Sequence, residues 1–178
     1  MFMRKYRLLV FFLISFNVLA QEKEPNLGQP ATSEMIEQWD ADVFPGGKGL
    51  PEGQGTARAG KKVYEVYCLS CHGLDGTGDS ADELAGAAHF LTDNPPDKTI
   101  GTYWPYATTI FDFIRRSMPL NAPGVLANNE LYAVTAYILY LNGIIDEGKI
   151  INANTLPKVK MPNRDGFINI YQKEIKND

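Results

Sequence analysis

Apolar residues recur at helical spacing in three stretches of this chain and alternate at strand spacing almost nowhere. Gly60, Val63, Tyr64 and Tyr67 fall on one face, and Thr56 stands where a side-chain oxygen can cap the first turn. Ala107, Ile110, Phe111 and Ile114 share a face over 106–116. Leu131, Val134, Tyr137, Ile138 and Leu141 do so over 130–141, with Asn128 or Asn129 as candidate cap and Gly143 as stop. Gly60 costs its helix about 1 kcal/mol against alanine. A glycine kept in that position predicts a second helix backbone passing close by. The pattern predicts an all-α body.

The rest of the chain is weakly patterned. Residues 21–55 are rich in Gly, Pro and acidic groups, with turn signals at Pro45-Gly46-Gly47 and Pro51-Glu52-Gly53, and at most a short helix over 33–39. They read as an N-terminal arm. A long loop containing Asn94-Pro95-Pro96 joins the first two helices. Residues 143–178, with many Asn and Lys and few large apolar groups, read as a C-terminal arm. A domain over 56–142 with two arms is the predicted organisation.

The first 20 residues have the pattern of a signal peptide. Arg4, Lys5 and Arg7 precede an apolar run from Leu8 to Phe16, and Val18-Leu19-Ala20 supplies small residues for cleavage. The apolar core is short for a membrane anchor, and no other stretch of the mature chain is long and apolar enough to span a bilayer. A periplasmic location is expected. Removing the leader leaves 14 basic and 21 acidic residues, a net charge of −7. Nucleic acid is excluded as a partner on that balance, since phosphate binding needs a basic face.

The chemistry is concentrated in Cys68-Leu69-Ser70-Cys71-His72, which uses both cysteines of the protein. Thiols three residues apart lie on one side of a helical turn. There they can add to the two vinyl groups of a haem while the adjacent imidazole reaches the iron. This is a c-type haem attachment site, with Cys68 and Cys71 holding the macrocycle and His72 as axial ligand. A thioredoxin-like pair would want a βαβ setting, a zinc site would need His89 and lacks a second ligand pair, and a plain disulfide leaves His72 unexplained.

Met118-Pro119 is the leading candidate for the other axial ligand. Proline disfavours the α region for the residue before it, so Met118 should leave its helix extended and turn its thioether inward. A thioether opposite imidazole raises the reduction potential and suits electron transfer. Met161-Pro162 has the same local form but lies in the tail, and His89 or an open sixth position completes the set of competing assignments. Arg115 or Arg116 is placed to pair with one haem propionate, and Trp104 or Tyr106 to donate to the other.

CxxCH, a downstream Met-Pro and flanking helices in this order resemble the class I cytochrome c family. That resemblance implies a fold of three main helices around one covalent haem c, with the first and last helices crossing at Gly60 and Tyr137. Many members have a proline soon after the haem histidine whose carbonyl orients the imidazole. Here none occurs before Pro95, leaving either Pro95 or a carbonyl near Leu84-Ala85-Gly86 for that role.

A narrower resemblance rests on Gln38-Trp39-Asp40-Ala41-Asp42-Val43, Gly49-Leu50-Pro51-Glu52-Gly53-Gln54-Gly55-Thr56, Trp104-Pro105-Tyr106-Ala107, Arg115-Arg116-Ser117-Met118-Pro119 and Leu156-Pro157-Lys158-Val159-Lys160-Met161-Pro162-Asn163-Arg164-Asp165-Gly166-Phe167. These are similar to the cytochrome c subunit of periplasmic sulfite dehydrogenases and of the sulfane dehydrogenase of Sox sulfur oxidation. The resemblance implies a molybdenum-cofactor dehydrogenase subunit as electron donor, a downstream electron acceptor, and no substrate chemistry on this chain. A free soluble carrier, and a haem sensor or enzyme with an open sixth position, are the competing function classes. The arms either embrace a partner subunit or pack back on their own haem domain.

Overall fold

The computed structural model describes residues 28–170; the predicted leader over 1–20 lies outside the described residues. The chain divides after Ile36 into two units. The described part of the first opens helix α1 (Ser33–Trp39), where the Thr32 hydroxyl accepts from the Met35 N–H at 3.2 Å. The remaining elements all belong to the second unit.

They run β1 (Gln54–Gly55), α2 (Ala57–Tyr67), α3 (Leu69–His72), α4 (Ile100–Tyr103), α5 (Ala107–Ser117), α6 (Asn128–Leu141) and β2 (Ile151–Asn152), with 3₁₀ turns at Leu74–Gly76 and Leu156–Lys158. This is the all-α, class I cytochrome c fold expected from the sequence. The only sheet among the described residues is the pairing of β1 with β2, antiparallel, with Gln54 opposite Asn152 and Gly55 opposite Ile151.

The three long helices start and stop close to where periodicity put them. Thr56 caps α2, its hydroxyl accepting from the Ala59 N–H. Gly143, at φ +68°, ends α6. The start of α6 differs from expectation: the cap residue is Ala127, whose N–H donates to the Glu130 carboxylate at 2.9 Å. Asn129 is occupied elsewhere, accepting from the Gln54 N–H at 2.8 Å.

Helices α2 and α6 make the most extensive contact in the unit. Their crossing depends on Gly60, where a Cβ would overlap the Ala133 carbonyl and lie 2.9 Å from Tyr137 Cβ. Gly55 presses on Ala133 from β1 in the same way. The crossing packs Tyr64 against Tyr137 with ring centroids 5.3 Å apart and planes tilted by 59°, both buried. Helix α6 is buried all round from Leu131 to Leu139, because the arms cover the side that the other helices leave open.

Residues 41–55 and 143–161 pack back on the helices between them. Val43 belongs to the core, as do Ile145, Ile151, Leu156, Val159 and Met161. Residues 41–54 are held mainly through their backbone. The Val43 N–H donates to Asp112 at 2.9 Å, Tyr132 donates to the Pro51 carbonyl at 2.7 Å, and Arg115 donates to the carbonyls of Ala41 and Gly49 at 3.1 and 3.3 Å.

Candidate haem site

Cys68 is the joint between α2 and α3. The N–H groups of Cys71 and His72 both donate to its carbonyl, at 3.1 and 2.9 Å, and close the single turn that brings the two thiols and the imidazole to one wall of a cleft. Gly73, at φ +72°, then reverses the chain, and a Cβ there would overlap the Gly78 carbonyl. The loop after it folds back on the motif: Gly78 N–H donates to the His72 carbonyl and Ala81 N–H to the Cys71 carbonyl, each at 2.8 Å.

Two tyrosines hold this loop from the helix crossing. Tyr64 donates to the Gly73 carbonyl at 2.9 Å, and Tyr137 to the Asp75 carboxylate at 3.2 Å. Burial pushes both phenols up to about 12.

His72 Nδ1 lies 2.9 Å from the Asp82 carbonyl. A carbonyl only accepts, so Nδ1 carries the proton and the lone pair is on Nε2, the nitrogen left for a metal. The partner is therefore not Pro95 but a backbone carbonyl two residues before Leu84, close to the stretch that the sequence left as its alternative.

A second wall comes from α5 and the loop beyond it. Met118 ends α5 in extended conformation (φ −123°, ψ 147°), half-buried, its N–H donating to the Ile114 carbonyl at 3.0 Å. Trp104 lines the same cleft and packs edge-to-face on Phe113 at 5.9 Å. The remaining lining is largely aliphatic, including Leu84, Ile100, Ile110, Ile114, Leu126 and Ile138, around about 820 Å³. Among the described residues, no Asp, Glu, Lys or Arg lines it.

The cleft thus brings together Cys68, Cys71, His72, Trp104 and Met118 of the residues singled out from sequence. It does not bring in the others. Arg115 donates to arm carbonyls, and Arg116 forms an ion pair with the buried Asp112. Met161 is 3% exposed within the core and absent from the cleft lining. His89 is exposed beside Asp97 at 3.3 Å.

The donor set fits a haem. Two thiols, one imidazole with a free Nε2 and one thioether share an uncharged, mostly apolar cavity, the setting that a porphyrin with a six-coordinate iron requires. Burial, and after it the neighbouring Cys71, push the Cys68 thiol up to about 11, the opposite direction from an exchange-active cysteine. Among the described residues no three His, Cys, Asp or Glu side chains come together as a metal-holding group.

Comparison with known proteins agrees with this geometry. Residues 57–142 match the cytochrome c family. A chain in the crystal structure of the sulfane dehydrogenase SoxCD from Paracoccus pantotrophus is 38% identical, with a TM-score of 0.76 over 85% of this chain and 75% of that one. The chain belongs to the cytochrome c family, and its cofactor is covalently bound haem c. Its relatives are proteins of sulfur oxidation. Thiosulfate dehydrogenases of Allochromatium vinosum and Stutzerimonas stutzeri are each 28% identical, over 64% and 70% of this chain. The chain spans less than half the length of these two, 46% and 40%.

Proposed function

We propose that this chain is the single-haem electron-transfer subunit of a periplasmic, molybdenum-dependent dehydrogenase acting on sulfite or sulfane sulfur, with His72 and Met118 as axial ligands. The observation that carries the reading is the meeting of both thiols, the imidazole and the Met118 thioether in one uncharged cleft. Bound haem c supplies a one-electron couple at its iron.

The protein's own groups set the conditions for that couple. Cys68 and Cys71 fix the macrocycle through two thioethers, so its orientation survives each redox cycle. The Asp82 carbonyl holds His72 in one tautomer and raises the basicity of Nε2. Met118 leaves α5 extended, so its sulfur is presented by a rigid helix end. The aliphatic walls offer water few polar partners, which would limit the solvent reorganisation that accompanies a change of charge. On this reading, substrate oxidation belongs to the dehydrogenase subunit and this chain carries the electrons away.

The sulfur substrate and the molybdenum partner rest on the 38% identity to a chain of a sulfane dehydrogenase, together with the arm motifs similar to that subgroup. Export to the periplasm rests on the leader pattern over 1–20; no helix among the described residues is long and apolar enough to cross a membrane. Exposed apolar side chains on both arms support a partner: Trp39 in the N-terminal arm and Ile168 and Ile170 in the C-terminal arm are 82%, 79% and 66% exposed. A second reading, a free carrier, is favoured by the packing of Val43, Ile145, Ile151, Leu156, Val159 and Met161 of the arms into the core of their own haem domain.

The test is to purify the haem protein from its native periplasm and add sulfite while recording the haem spectrum. Reduction by sulfite, with a molybdenum-containing chain co-eluting, is expected. A lone haem protein that sulfite leaves oxidised would refute the subunit reading and leave the carrier.

A further inference from the structure

The orientation of His72 depends on a loop held by hydrogen bonds rather than by regular structure. From Gly73 to Thr99 the chain has one 3₁₀ turn and no other regular element, and Asp82, whose carbonyl takes the His72 Nδ1–H, is exposed. A carbonyl on such a loop stays in place only if its neighbours are tied down.

The ties converge two residues later. The N–H groups of Leu84 and Ala85 both donate to the Gly76 carbonyl, at 2.7 and 3.0 Å. The Leu84 carbonyl accepts twice, from Ile100 N–H at 3.2 Å and from Asn142 Nδ2 at 3.0 Å. Asn142, at the C-terminal end of α6, also donates to the Ile138 carbonyl at 2.8 Å and accepts from Gly101 N–H at 3.0 Å. One amide therefore uses both polar ends to join three pieces of chain: the end of α6, the His72 loop and the start of α4. Gly101 leaves room for it, since a Cβ there would sit 3.0 Å from Asn142 Cβ and overlap its oxygen.

We propose that Asn142 is a positioning residue for the haem, holding the Asp82 carbonyl against His72 and so fixing the plane and basicity of the imidazole. The inference rests on His72 being an iron ligand, as proposed above. The side chain required is specific. Aspartate at this site has no donor for Leu84, leucine has neither donor nor acceptor, and glutamine carries its amide one methylene too far. Leu84 and Ile100 both line the cleft, so the same clamp also sets the wall on which the macrocycle rests. Loss of the clamp weakens the Nδ1–H to carbonyl bond, lowers ligand basicity and favours the ferrous state.

The experiment uses the holoprotein, with proton NMR of the reduced form and a redox titration. Wild type is expected to show His72 ring protons shifted strongly upfield by the macrocycle and a slowly exchanging Nδ1–H. In Asn142→Leu that proton should exchange about tenfold faster or more, and the reduction potential should rise. Ile151→Ala, a core truncation in β2, should lower stability without moving either quantity. If Asn142→Leu does not accumulate, Gly101→Ala, which crowds the same amide, must produce the same two changes. Unchanged exchange and potential in these variants, or equal changes in Ile151→Ala, would overturn the inference. His72 ring protons without the upfield shift would instead overturn the ligand assignment on which it rests.

Discussion

Substituting Gly60 with alanine should loosen the whole scaffold of the haem site. The added methyl would overlap the carbonyl carbon and oxygen of Ala133 and lie 2.9 Å from Tyr137 Cβ. These obstacles are mostly backbone of a helix buried on all sides, so no rotamer change relieves them. Restoring ordinary contact of about 3.5 Å means moving α2 and α6 apart by roughly an ångström or more. Overpacking of this kind costs about 1–3 kcal/mol, and a backbone obstacle puts Gly60→Ala near the top of that range. The gain in helix propensity offsets about 1 kcal/mol, leaving a net loss of about 2 kcal/mol. For a chain of this size that lowers Tm by roughly 4–8 °C. Thermal unfolding of the ferric holoprotein, followed by circular dichroism, measures it directly. Gly148→Ala is the control, since a Cβ at Gly148 meets nothing within 4 Å; it should change stability by less than about 0.5 kcal/mol. A Gly60→Ala protein as stable as this control would refute the close crossing and the role assigned to Gly60.

Stability should fall between pH 10 and 12, because the unfolded chain releases the protons of Tyr64 and Tyr137 near the usual 10.0 while the folded chain keeps them to about 12. Urea titrations across that range check this, and Tyr137→Phe should flatten the decline. Arg116→Ala should lower stability by about 1 kcal/mol by leaving the buried Asp112 with the Val43 N–H as its remaining partner, and should leave the reduction potential unchanged. A shifted potential would put Arg116 at a propionate after all. Thr135→Val should raise stability by about 1 kcal/mol or more, since the Thr135 hydroxyl is buried with no hydrogen-bond partner; a Tm at or below wild type would contradict that.

What the sequence made legible was whatever side chains encode. Helical faces, the Thr56 cap, the close approach at Gly60 and the extended Met118 all follow from residue types at particular spacings, and the structure places them accordingly. What it hid was carried by backbone groups. The partner of His72 is the Asp82 carbonyl, a group every residue owns, so no side-chain pattern could select Asp82 over Pro95 or Leu84. Residues 41–51 of the N-terminal arm are fixed through carbonyls at Ala41, Gly49 and Pro51 and the N–H of Val43, which is why a stretch poor in apolar residues left open whether it wraps a partner or packs on its own domain. The same contacts engage Arg115, a residue that reads from sequence as a propionate ligand. The β1–β2 pairing is two residues long on each side, too short to leave an alternating pattern. Asn129 looked like a cap for α6 because asparagine favours that position, but its oxygen is taken by Gln54 N–H.

If His72 and Met118 together saturate the iron of a single-haem electron carrier, the reduced protein has no place for a further ligand. Exposing the reduced protein to carbon monoxide, in wild type and in Met118→Ala, tests it most directly. The wild-type spectrum should stay unchanged, while Met118→Ala should bind the gas and have a lower reduction potential. Carbon monoxide binding to wild type, or a Met118→Ala protein with unaltered spectrum and potential, would contradict the account.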